Sequence, residues 1–131
     1  MASPPRVRAF LFCDGVVRDP VSGKTTLVGV FETLDAYEFP LKQPPFAVYL
    51  RLTSLNGRYR FAIEVVSVDL LAVIRSVEVD DEFESDNPLE VLDWAIELDE
   101  IVWPAPGRYT VLLIVNGLIA EEATLAVEDH S

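Results

Sequence analysis

Arg108-Tyr109-Thr110-Val111-Leu112-Leu113-Ile114-Val115-Asn116-Gly117, with the run Leu118 to Val127 behind it, decides the fold of this chain. A segment rich in β-branched and aromatic residues reads as a strand, and Asn-Gly is the dipeptide that most readily takes the two left-handed conformations of a type I′ turn. The chain is therefore expected to fold straight back on itself. Alternate side chains of a strand point to opposite faces, so the returning run places Ile119, Glu121, Ala123, Leu125 and Val127 on one face. Leu118, Ala120, Glu122, Thr124 and Ala126 fall on the other. Val111 to Val115 is apolar on both faces, which suits a central strand of a layered structure and not a strand washed by solvent.

Working outward, Val7 to Cys13 reads as a first strand that Asp14-Gly15 ends or bulges. Asp19-Pro20-Val21-Ser22-Gly23 holds the residues a reversal needs, and Lys24 to Phe31 returns as a second strand. Gly29 within it marks a bulge or a close neighbouring backbone. Glu32 to Phe39 suits either a helical turn or a short strand, and the strand is preferred. Pro40 and Pro44-Pro45 forbid regular structure up to Phe46 and predict a rigid crossover. Phe46, Val48, Leu50 and Leu52 then alternate with Ala47, Tyr49, Arg51 and Thr53, Asn56-Gly57 repeats the hairpin signal, and Tyr59, Phe61, Ile63 and Val65 continue the period of two. Val68 to Val79 holds another strand, broken near Asp69. Asp80 to Pro88 reads as a charged loop, Leu89 to Leu98 as a half-buried strand, and Asp99 to Pro106 as the lead into the final hairpin.

About eight short strands with turns between them, and no apolar stripe of helical period, predict an all-β fold. The expected architecture is a two-layer β-sandwich, immunoglobulin-like or jelly-roll-like, with a small β-barrel as the alternative. A length of 131 residues implies one domain, with residues 1–5 and 128–131 expected to fray.

Half of the residues are apolar and mean hydropathy is +0.27, yet the formal charge is -12. Apolar residues beyond what one core needs usually lie against another subunit, so association with a protein partner or with itself, as a homodimer, is expected. With 10 Lys and Arg against 22 Asp and Glu, the surface repels phosphate backbones and anionic lipid, which disfavours nucleic acid and membrane as partners. The first residues lack the hydrophobic span and cleavage site of a secretory signal, and no apolar run approaches the roughly 20 residues that cross a bilayer. Cys13 has no second cysteine to pair with, so the expected compartment is the cytoplasm.

Few residues are candidates for chemistry. Ser22-Gly23-Lys24-Thr25-Thr26 matches the tail of a phosphate-binding loop, but that motif needs a further glycine where Arg18 stands and a helix where a strand follows. A thiolate at Cys13 needs a base or a cation beside it, and the sole histidine is His130, close to the end of the sequence. That count also removes Ser-His-Asp chemistry and any multi-histidine metal site. A glycosidase pair among Asp93, Glu97 and Asp99 has nothing to select it. The chain is therefore expected not to be an enzyme and to need no cofactor. The one constellation able to hold an ion is Asp80, Asp81, Glu82, Glu84 and Asp86, since calcium takes six to eight oxygen ligands; a solvated charge run is the plainer reading. Trp94, Trp103, Tyr109 and Tyr59 line either a groove or the core, and the core is preferred. Tyr109, just after Pro106-Gly107-Arg108, is expected to pin the preceding loop with its hydroxyl.

Phe10-Leu11-Phe12-Cys13-Asp14, Gly23-Lys24, Leu27-Val28-Gly29-Val30-Phe31, Asn56-Gly57-Arg58-Tyr59-Arg60-Phe61, Pro106-Gly107-Arg108-Tyr109 and Asn116-Gly117 together resemble an uncharacterised family of small bacterial proteins, a domain of unknown function. The resemblance spans nearly the whole chain and implies a bacterial, single-domain β protein. It implies no catalytic or ligand residues. The functional expectation is a non-enzymatic interaction module that self-associates or docks on a partner through an apolar face or an exposed strand edge. The alternative is a domain that binds calcium or a cationic ligand through residues 80–86.

Overall fold

The computed structural model describes residues 2–131, and among them every regular element is a strand. In chain order these are β1 (Arg6–Arg18), β2 (Thr25–Phe31), β3 (Thr33–Ala36), β4 (Leu41–Gln43), β5 (Phe46–Thr53), β6 (Gly57–Tyr59) and β7 (Phe61–Ser67). They continue as β8 (Ala72–Glu78), β9 (Phe83–Ser85), β10 (Leu92–Leu98), β11 (Ile101–Trp103), β12 (Gly107–Val115) and β13 (Leu118–Asp129). A front sheet runs in the order β10-β5-β1-β2 and a back sheet in the order β3-β13-β12-β7-β8, with two short ribbons, β11-β4 and β6-β9. Both sheets have free ends, so the fold is the two-layer sandwich and not the barrel.

One core lies between the layers. The front sheet gives it Phe12, Val48, Leu50 and Ile96, and the back sheet Ile63, Val65, Val111, Leu113 and Leu125. Each such side chain stabilises the fold by about 1.5–3 kcal/mol relative to an exposed position. The final hairpin forms as expected, with β12 central between β13 and β7. Asn116 (φ 51°) and Gly117 (φ 81°) are both left-handed, as a type I′ turn requires. Asn116 adds a clasp: its Oδ1 accepts the Arg60 N–H at 2.9 Å and its Nδ2 donates to the Arg58 carbonyl at 3.0 Å. A bulge between Leu113 and Ile114 shifts the register, so Ile119, which strict alternation puts on the face of Leu125 and Val127, is exposed while those two are buried.

The second Asn-Gly pair behaves differently from the reading of the sequence. Asn56-Gly57 makes no β5–β7 hairpin, because β5 belongs to the front sheet and β7 to the back. Gly57 opens β6, which pairs with β9, so the dipeptide marks a corner between layers. A local reversal signal is the same at a hairpin and at a corner; which one forms depends on where each strand's apolar face finds a partner. The short strands β4, β9 and β11 lie where the sequence predicted a proline crossover, a charged loop and a lead-in. Three residues are too few to show a period.

Among the described residues both end segments make main-chain hydrogen bonds. Ser3 N–H donates to the Asn56 carbonyl at 3.0 Å, and the Tyr59 hydroxyl donates to the Ser3 carbonyl at 2.6 Å; Met1 lies outside the described residues. At the other end β13 runs to Asp129 in parallel register with β3, and His130 N–H reaches the Ala36 carbonyl at 2.7 Å. Tyr109 pins its loop as predicted, its hydroxyl 2.6 Å from the Ala105 carbonyl and its ring packed edge-on against Trp103.

Candidate functional site

The strand β1 serves two partners. Its first half pairs with β5, from Arg6↔Thr53 to Cys13↔Ala47, and its second half pairs with β2, from Phe12↔Phe31 to Arg18↔Thr25. Between the halves the chain bends. Gly29 is left-handed (φ 65°), and a Cβ there would collide with the Asp14 side chain. Gly29 marks neither of the two expected features, since the register with β2 continues unshifted through this point and the close neighbour is a side chain and not a backbone; it is a bend at which both strands turn together. The contacts show its direction. On a straight strand Arg18 would lie about 16 Å past Cys13. It reaches Asp93, which stands opposite Arg51, itself opposite Ala9 back along β1. The distal hairpin is therefore an arm folded over the outer face of the front sheet, and Val16 and Leu27 cover a second small core of Cys13, Ala47 and Tyr49.

Asp93 holds the arm down. It accepts a hydrogen bond from the Tyr49 hydroxyl at 2.8 Å and from Thr25 Oγ1 at 3.3 Å, and it pairs with Arg18 at 3.3 Å and Arg51 at 3.9 Å. Arg18 also donates to the Asp93 carbonyl at 3.0 Å. Burial, and then the bond to Asp93, raise the Tyr49 phenol above its ordinary range. Cys13 is wholly enclosed beneath the arm, and burial raises its thiol pKa, which opposes the thiolate that nucleophilic chemistry needs.

The acidic residues picked from the sequence are dispersed. Glu82 pairs with Arg60 at 3.2 Å and with Arg58 at 4.0 Å, Glu84 pairs with Arg58 at 3.5 Å, and Asp80, Asp81 and Asp86 are exposed. The group that does bring three ligand-type atoms together is Asp35, Glu128 and His130, all exposed. His130 Nε2 lies 2.9 Å from Asp35 and 3.3 Å from Glu128, an ion-pair tie whenever the imidazole is protonated. The parallel pairing of β3 with β13 assembles it, a long-range contact no local pattern announces. Ser22-Gly23-Lys24 sits in the arm's tip, where Asp19 accepts the Val21 N–H and the Ser22 hydroxyl, bonds that lower the Asp19 pKa. Tyr59, Trp103 and Tyr109 are core residues, and Trp94 is half-buried against Phe61.

The remaining feature is an edge. The ends of the two large sheets are β10, β2, β3 and β8. Proteins blunt such edges with charge, proline or twist, because unpaired N–H and C=O groups recruit other strands. Three comply in sequence: β10 carries Asp93 and Glu97, β3 carries Asp35, and β8 carries Arg75 and Glu78. The fourth, β2, reads Thr25-Thr26-Leu27-Val28-Gly29-Val30-Phe31, with no charge and no proline. Val28 and Val30 are 49% and 51% exposed, and Val17, beside Thr26 across the hairpin, is 57% exposed. Asp19 and Lys24 are a hydrogen-bonded pair at the tip, so Thr26 and Val28 turn their backbone groups to β1 while Thr25 and Leu27 turn theirs outward.

These features define a small all-β sandwich domain whose surface chemistry lies in strand edges and ion pairs. The chain belongs to a family of unknown function: the model described as "Family of unknown function (DUF6941)" matches residues 8–128. A search of curated proteins finds no match. Among solved structures, the chain is similar to the Pseudomonas fluorescens alkylpurine DNA glycosylase AlkC bound to DNA containing an abasic site analog, with a TM-score of 0.60 and 10% identity. The match covers 96% of this chain and 31% of that one, and at this identity it shows the fold alone.

Proposed function

We propose that this protein is a non-enzymatic interaction module that accepts a strand of another protein molecule along the free edge of β2. One observation carries the reading: among the ends of the two large sheets, β2 is the one whose sequence has neither charge nor proline, in a chain of net charge -12. Strand addition draws affinity from main-chain hydrogen bonds and specificity from the side chains flanking the seam, here Val17, Val28 and Val30. The net charge supports a protein partner over nucleic acid or an anionic membrane. The enclosed position and raised thiol pKa of Cys13 support a role without nucleophilic catalysis at that residue.

Val28→Lys tests it, because the side chain is exposed and a lysine there introduces the missing edge charge. The variant is expected to keep the circular dichroism and melting temperature of the parent while losing association, read by light scattering of the chain alone and by retention of protein ligands on the immobilised chain. Unchanged association in both formats would refute the edge as the docking surface.

A further inference from the structure

We infer that the strand received by β2 is the β2 of a second copy, paired antiparallel about a two-fold axis at Val28; this rests on the edge reading above. Counting four residues to either side of Val28 reaches Lys24 and Glu32, so the arrangement sets each Lys24 opposite the other copy's Glu32. Both residues are exposed, and among the described residues neither has an ion-pair partner of its own. Lys24 is one of two lysines in a strongly acidic chain, and it stands where a self-paired β2 requires a cation.

The backbone agrees with this register. By alternation from the Asp19–Lys24 bond, the N–H and C=O of Val28 face β1, so the two copies of Val28 meet as a non-hydrogen-bonded pair, the closer kind. Thr26 then lies opposite Val30, a contact of β-branched side chains. Nothing charged falls between the two ion pairs, so molecules of net charge -12 meet at an edge that adds no repulsion of its own. A two-fold contact is self-complementary and closes at two copies, giving one continuous sheet of eight strands.

Sedimentation velocity of the full chain across micromolar to submillimolar concentration tests the pairing. The parent is expected to dimerise, more tightly at low salt. Lys24→Glu should weaken the dimer about tenfold, by turning two exposed attractions into repulsions, and adding Glu32→Lys should restore it. A parent that stays monomeric to several hundred micromolar would overturn the inference and leave β2 for a different protein. A dimer broken by Val28→Lys but indifferent to the charge exchange would refute this register and keep the edge reading. A dimer indifferent to all three variants would remove both.

Discussion

Removing the carboxylate of Asp93 should free the arm and expose the only thiol. In Asp93→Ala the Tyr49 hydroxyl loses a charged acceptor at 2.8 Å, and Arg18 and Arg51 lose ion pairs at 3.3 and 3.9 Å. A hydrogen bond to a charged group contributes about 1.5–3 kcal/mol net. The arginines are about half exposed, so their pairs add only a few tenths of a kcal/mol each. Arg18 keeps its bond to the Asp93 carbonyl and Val16 and Leu27 keep their packing, which places the loss near the lower end, about 2 kcal/mol. If the arm opens locally, that loss multiplies the open population roughly thirty-fold. Cys13 reports the opening directly, since it is wholly buried beneath the arm and is the chain's one cysteine. The assay is the native-state rate of its reaction with an aromatic disulfide, normalised to the rate in denaturant. Tyr109→Phe, which loses the Ala105 bond far from the arm, is the control for global destabilisation. Asp93→Asn, which still accepts from Tyr49, should fall between parent and alanine variant. Labelling within twofold of the parent, or rising equally in Tyr109→Phe, would refute the latch.

Asn116→Ala removes two side-chain hydrogen bonds and puts a residue with a poor left-handed conformation at φ 51°; a loss of about 2–3 kcal/mol is expected in denaturant melts. Stability should fall as pH rises above about 10: the raised pKa values of Tyr49 and Tyr109, set first by burial, favour the neutral phenol in the folded state. That contribution is complete below the unfolded pKa and is lost as pH passes the folded one; melting temperature from pH 8 to 11 reads it, and Tyr49→Phe should flatten part of the slope. Millimolar calcium is expected to leave the melting temperature unchanged, because Glu82 and Glu84 are engaged by Arg58 and Arg60; a rise that Glu82→Gln abolishes would show that the segment around β9 binds the ion.

The arm and the edge are one device. Bending at Asp14 and Gly29 carries β2 away from the plane of the front sheet, and the second core beneath it fixes the bend. An edge held in this way is ordered before it meets a partner, which lowers the entropy lost on docking.

The sequence by itself determined the all-β class, the two layers, the final hairpin and the roles of Tyr109 and the buried aromatics. Each is written within a few residues, as an alternation of apolar side chains or a turn dipeptide whose backbone preference is intrinsic. Only the tertiary structure decided that Asn56-Gly57 turns a corner, that Asp35 meets Glu128 and His130, that Asp93 latches the arm, and that β2 is an edge. A strand's sequence records which of its faces is buried, not which neighbour lies beside it or whether one does. Those facts follow from contacts between distant residues, fixed when the sheets assemble around a shared core.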